Sequence, residues 1–312
     1  MDAGAAQELE KAANLPHGVL GAARSHARET AAVARSDSDP YPVVLYSPGS
    51  TSARGFGTTV VEELVSQGYV VVTVDHPYDA AVVEFPDGRL VPARQVDVPE
   101  GGWDLATLDV LAEPDRAARV ADMRFVLDTL QQIQDGANPD AEGRALPDRL
   151  AGALDLSRVG MLGHSLGGTT AAQVLLEEPR VLASFAMDSE MPPPVRAAGL
   201  DRPILLMRSD EPQLAPITDA AWKELQTRGW HRNLRMVDAG HMSLTDLSVL
   251  CAQLGDDCPK EVSAMLGSID NEQAVAATRA YTTAFFDQHL KGQSRPLLDQ
   301  PSSDHPQIEF LP

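Results

Sequence analysis

The chain has 312 residues, 43% of them hydrophobic, with 45 acidic and 25 basic side chains and a formal net charge of -20. Such a length fits one large α/β domain around a single core, while the charge opposes binding to nucleic-acid phosphates or anionic lipid head groups. No apolar run approaches the roughly 18 residues that a membrane span needs, so neither nucleic acid nor stable membrane insertion is expected, and the chain should be soluble.

Residues 1–38 are rich in Ala, Arg and Glu, with helical stretches such as Ala5 to Ala13 and no strand alternation. Residues 1–40 therefore read as a helical extension ahead of a catalytic domain over 41–312. The opening Met1 to Glu10 lacks the basic and apolar segments of an export signal, which places the chain as given in the cytoplasm, or outside the cell if it has been trimmed. Tyr41 to Tyr46 is a β-rich run ending at Ser47-Pro48-Gly49-Ser50, a helix follows over Thr58 to Gln67, and Tyr69 to Val74 reads as a buried parallel strand. Ala81 to Pro92 alternates around Asp87-Gly88 and predicts a projecting hairpin. The loop from Val91 to Asp109 is expected to overhang the site. Pro114 marks the start of a helix whose apolar residues, Val120, Met123, Val126, Leu127 and Leu130, recur at helical spacing.

Next comes a short apolar run that meets Gly163-His164-Ser165-Leu166-Gly167-Gly168 and passes into a helix-forming segment. Strand, sharp turn and helix make a nucleophile elbow, with Ser165 as the nucleophile and small residues where strand and helix cross. Val181 to Met187, Ile204 to Met207 and Leu234 to Val237 read as further strands, the last of these as the final one, with helices near 215–227, 243–254 and 271–290. The alternation predicts a largely parallel sheet with helices on both faces, and together with the elbow it points to the α/β-hydrolase fold. The antiparallel strand pair that usually opens this fold has no counterpart before residue 40. The Tyr69 to Val74 strand then becomes a sheet edge, to be covered by the N-terminal helices or by a second subunit in a homodimer.

A serine hydroxyl needs a base and an orienting carboxylate, in the chain order serine, acid, histidine. His241, in Asp238-Ala239-Gly240-His241-Met242-Ser243 after a strand, fits the base; His164 is expected to point to the other side of the elbow and to be structural. Asp188 and Asp210 both occupy strand-end loops, and periodicity does not choose between them. The oxyanion needs two donors, expected to be the backbone N–H groups of Leu166 and Ser50. Tyr78, Trp103, Met187 and Met242 are the candidate pocket walls. Cys251 and Cys258, seven positions apart, read equally well as a disulfide or as two thiols. No cluster has metal-ligand spacing, and the chemistry requires no cofactor.

Taken together, Tyr46-Ser47-Pro48-Gly49-Ser50, Val74-Asp75-His76-Pro77, the elbow, Met187-Asp188 and Gly240-His241-Met242-Ser243 resemble the plasma-type and intracellular type II platelet-activating-factor acetylhydrolases and their bacterial relatives. The resemblance runs from about Pro42 to the C-terminus and departs from the family at Pro48, where a histidine or similar residue is usual. It implies a serine esterase acting on short-acyl esters or lipids, with Ser165, Asp188 and His241 as triad and Ser50 and Leu166 as oxyanion donors. The layout is also similar to cutinases and polyester hydrolases, which would place the acid on Asp210. A non-catalytic interaction protein on the same scaffold is the third reading.

Overall fold

The computed structural model describes residues 3–34, 40–95 and 104–312. Two short helices, α1 (Ala3–Ala12) and α2 (Val19–Ala22), precede strand β1 (Tyr41–Ser47); α3 (Thr58–Ser66) leads to β2 (Val70–Thr73), and β3 (Val82–Glu84) and β4 (Leu90–Pro92) form a hairpin. Helices α4 (Leu105–Leu111) and α5 (Glu113–Gln134) come next. Strands and helices then alternate through β5 (Leu154–His164), α6 (Leu166–Glu177), β6 (Val181–Met187), α7 (Pro193–Ala198), β7 (Ile204–Arg208), α8 (Ala215–Glu224) and β8 (His231–Met236). The chain closes with α9 (Leu247–Leu254), α10 (Lys260–Ala264), α11 (Asn271–Leu290) and β9 (Ile308–Leu311).

Local signals account for the boundaries. Pro114 sits in the first turn of α5 beside Glu113 and Asp115, which suit the positive end of the helix dipole. Asp270 caps α11 by accepting from the Gln273 N–H at 3.0 Å. Helix α3 has no cap of its own; Asp246, far along the chain, accepts from the Thr58 N–H at 2.6 Å and so ties the helix to the segment that follows β8.

The main sheet has the order β2-β1-β5-β6-β7-β8-β9, and every pairing is parallel except β8 with β9. In β1, Val43 and Leu45 enter one apolar layer with α5 and α6, while Val44 and Tyr46 enter the other with α3 and α11. Both faces are covered, which is why β1, β2, β6 and β7 read as largely apolar runs.

Two expectations are amended. The segment read as the final strand, around Leu234 to Val237, is followed by β9, which pairs antiparallel with β8 through Met236 with Ile308 and Leu234 with Phe310. Four residues at a chain end are too few to display a period. Among the described residues no strand pair precedes β1, and β2 is the sheet edge, its four residues half-buried. The N-terminal helices do not cover it: the Ala5 N–H bonds to Glu84 of the hairpin at 2.9 Å, and Ala5, Leu9 and Leu15 pack with Phe56, Met242, Leu250 and Cys251. Cys251 and Cys258 are joined as a disulfide. No helix of the described residues is long and apolar enough to cross a membrane.

Candidate active site

Parallel strands deliver their carboxyl ends to one edge of the sheet, and the candidate residues gather there. Ser165 stands between β5 and α6 with φ 54° and ψ -127°, a region nearly barred to residues carrying a Cβ. The turn is held by its surroundings. The Ser165 N–H donates to the Met187 carbonyl at 2.8 Å, and the Ser189 hydroxyl donates to the Ser165 carbonyl at 2.7 Å. A Cβ on Gly163 would lie 2.3 Å from the Gly167 backbone, and one on Gly167 would lie 2.0 Å from the Ser47 carbonyl oxygen. Small residues at these two places allow α6 to pass across β5 and the end of β1, as the elbow pattern predicts.

His241 begins a short helical turn after β8. Its Nδ1 lies 2.6 Å from Asp188 Oδ2, and Asp188 also accepts from the Ser209 N–H at 2.8 Å and the Ser209 hydroxyl at 2.7 Å. Asp188 itself stands at φ 48° and is 4% exposed. Burial acts to raise its pKa, but the bonds from His241 and Ser209 outweigh that and hold the carboxyl below its ordinary range. A carboxylate on Nδ1 fixes that nitrogen as the donor and leaves Nε2 as the basic atom. Ser165, Asp188 and His241 border one cavity of about 130 Å³, with Leu108, Leu214 and Ile217 as apolar walls and Glu190 and Thr218 as polar ones.

Asp210 is placed elsewhere. Its Oδ2 accepts from the Asp238 N–H at 3.0 Å, and its Oδ1 lies 3.5 Å from Arg208 and 3.4 Å from Arg235. It steadies the loop that leads to His241. His164, expected on the far side of the elbow, instead lies against the site: its Nε2 donates to the His241 carbonyl at 2.8 Å, and the two rings are 4.5 Å apart. Burial, reinforced by the neighbouring His241, pushes its pKa well below the ordinary imidazole value, so it acts as a neutral strut.

The two proposed oxyanion donors flank the serine. Leu166 is the first residue of α6, where the N–H has no carbonyl to meet within the helix. Among the described residues the Ser50 N–H has no hydrogen-bond partner, and its loop is closed onto the elbow, since a Cβ on Gly49 would lie 3.3 Å from Ser165 Cβ.

The pocket walls need correction. Met187 is fully buried in the core with Phe185, Met207 and Leu234, because its place in β6 turns it toward the α11 side of the sheet. Met242 packs with Leu9, Phe56 and Cys251. Tyr78 is 62% exposed and does not border that cavity, and Trp103 lies outside the described residues. Glu190, Ile217 and Thr218 went unnoticed because helix and loop residues of ordinary type carry no sequence mark of facing a cavity. Leu108, in the stretch expected to overhang the site, does border it. Among the described residues no His, Cys and carboxylate group gathers to hold a metal.

Comparison with known proteins places the chain among ester hydrolases. The chain is 24% identical to a probable 1-alkyl-2-acetylglycerophosphocholine esterase of Arthroderma benhamiae, over 88% of this chain and 67% of that protein. It is 23% identical to the platelet-activating factor acetylhydrolase of Cavia porcellus, over 81% of this chain and 58% of that protein. The chain thus spans about three fifths to two thirds of the length of these curated relatives. Among solved structures, a ferulic acid esterase from Streptomyces cinnamoneus superposes with a TM-score of 0.75 at 36% identity, covering 98% of this chain and 83% of that one. The family model described as platelet-activating factor acetylhydrolase, isoform II, matches residues 5–296, and the chain belongs to that family.

Proposed function

We propose that this carboxylic-ester hydrolase works through an acyl-enzyme on Ser165. His241 Nε2 takes the proton of the Ser165 hydroxyl as Oγ attacks the ester carbonyl carbon. Asp188 holds the imidazole in the tautomer that makes this possible and stabilises the imidazolium that results. The tetrahedral oxyanion receives the Leu166 and Ser50 N–H groups, and its collapse, with the proton returned from His241, expels the alcohol. Water, deprotonated by His241 in turn, then releases the acid. The observation that carries the reading is the 2.6 Å contact of His241 Nδ1 with a buried Asp188 beside the cavity that Ser165 also lines.

A short acyl group is the proposed substrate class. The cavity of about 130 Å³ is small. Sites for drug-sized ligands run to roughly 300–1,000 Å³. The acetyl esters in the relatives' names fit that limit. A second reading, an aromatic acyl ester, is favoured by the 36% identity to the ferulic acid esterase. The test is the specificity constant on p-nitrophenyl esters from acetyl to palmitoyl, together with methyl ferulate, with Ser165→Ala as the blank. A steep preference for two to four carbons supports the first reading and a preference for ferulate the second, while activity independent of Ser165 overturns both. The Cys251–Cys258 disulfide supports residence in an oxidising compartment rather than the cytoplasm.

A further inference from the structure

Beneath the loop that carries Ser50 lies a buried polar network that the hydrolytic scheme above does not use. Arg119, on α5, is 1% exposed, and its guanidinium is spent entirely on this loop and its support. Nε pairs with Asp79 Oδ2 at 2.5 Å; Nη1 donates to the Pro48 carbonyl at 2.5 Å and to Ser47 Oγ at 3.2 Å; Nη2 donates to the Gly49 carbonyl at 3.0 Å. Asp79 reaches the same loop from its other oxygen, accepting from Ser50 Oγ at 3.3 Å and from the Thr51 N–H at 3.4 Å.

A third arm steadies the base of the loop. His76 Nδ1 donates to Asp122 Oδ2 at 2.7 Å, which leaves Nε2 of the neutral ring to accept the Ser47 hydroxyl hydrogen at 2.9 Å, while Ser47 Oγ accepts from Arg119. Serine, histidine and aspartate stand here in the order of a catalytic relay. Yet Ser47 is fully buried and His76 is 1% exposed, so the serine and histidine are sealed from substrate and only the Asp122 carboxylate reaches the surface. Burial holds His76 below its ordinary pKa, in keeping with a neutral ring that accepts on one side and donates on the other.

The consequence follows from peptide geometry. In a planar trans peptide the C=O and the next N–H point in opposite directions. Arg119 and the Ser52 N–H, at 3.0 and 3.2 Å, fix the Gly49 carbonyl inward, so the Ser50 N–H of the same peptide is turned outward, away from the guanidinium. We infer that Arg119 is a positioning residue that, with Asp79 and the Ser47–His76–Asp122 chain, sets the direction of the Ser50 oxyanion donor. The inference rests on the reading of Ser50 as a donor to a tetrahedral intermediate on Ser165. A planar fork engaging two carbonyls, a hydroxyl and a carboxylate is a task for which lysine, a single point charge, is a poor replacement.

The test uses Arg119→Lys and the charge-neutral pair Arg119→Gln with Asp79→Asn, which leaves no unpaired buried charge. Rates on p-nitrophenyl acetate are taken per burst-titrated site, so that loss of fold alone leaves them unchanged. Affinity for a short-chain trifluoromethyl ketone, whose hydrate mimics the oxyanion, is measured alongside. A misdirected donor costs about 10-fold in kcat for Arg119→Lys and about 100-fold for the pair. KM should stay within about threefold, and ketone affinity should fall in step with kcat/KM. Per-site rates within twofold of the parent, or a loss carried wholly by KM with ketone affinity kept, would overturn the inference. Full activity of Ser165→Ala would instead refute the acyl-enzyme reading beneath it.

Discussion

Replacing Asp188 by asparagine asks the sharpest question of the site, because the geometry leaves the amide no good orientation. Asp188 Oδ2 meets His241 Nδ1 at 2.6 Å and the Ser209 hydroxyl at 2.7 Å, while Oδ1 accepts from the Ser209 N–H at 2.8 Å. An amide nitrogen in the Oδ1 place faces the Ser209 N–H donor to donor. In the Oδ2 place it forces His241 to accept at Nδ1 and to carry its proton on Nε2, where it cannot take one from Ser165. The wrong tautomer costs about 10⁴-fold in kcat where it has been produced in other triads, about 5.5 kcal/mol of transition-state stabilisation. Asp210→Asn is the matched control: its contacts are to the Asp238 N–H, to the half-buried Arg235 and, at 3.5 Å, to the buried Arg208, which keeps Asp219 as its ion-pair partner, and a loss below about threefold in kcat is expected. The assay is burst-titrated kcat on p-nitrophenyl acetate. An Asp188→Asn enzyme within tenfold of the parent, or a larger loss in Asp210→Asn, would refute the assignment of the acid.

Three further outcomes are expected. Gly167→Ala drives a Cβ to 2.0 Å from the Ser47 carbonyl oxygen, and the overpacking should cost about 3 kcal/mol, read as a Tm fall of about 5–10 °C. Burial lowers the pKa of His76 and His164, and it brings His289, packed 4.5 Å from the Trp230 ring, down to about 4. Unfolded histidines titrate near about 6.5. Between that value and about 4 the unfolded chain binds more protons, so Tm should fall as pH drops through this window, and His289→Phe should flatten the fall. Replacing Cys251 and Cys258 together by serine opens a loop of sequence separation 7 and should cost about 2 kcal/mol of stability with kcat within twofold; protein isolated without reductant should show no free thiol.

Much of this molecule was legible in its residues for physical reasons. Largely apolar runs entered just after Pro40, Pro179 and Pro203 marked β1, β6 and β7, because strands buried on both faces leave little room for polar alternation. The elbow was legible because its glycines answer to backbone collisions at 163 and 167. What escaped shares one property: it depends on residues distant in sequence. Asp188 and Asp210 are equivalent as strand-end acids until Ser209 and His241 close on one and Asp238 on the other. Arg119 reads as a charged residue of an amphipathic helix, and only the approach of Ser47, Pro48 and Gly49 makes it buried. The methionines proposed for the pocket are core residues, since large apolar side chains beside a site are seldom distinguishable by type from those beneath it.

The central claim, an acyl-enzyme on Ser165, is tested most directly by treating the protein with a fluorophosphonate and mapping the adduct by peptide mass spectrometry. The account predicts one stoichiometric adduct on Ser165, abolished in Ser165→Ala and slowed by about the same factor as kcat/KM in Asp188→Asn. An unlabelled protein that still hydrolyses p-nitrophenyl acetate, or an adduct on Ser47, the sealed serine of the Ser47–His76–Asp122 chain, would contradict it.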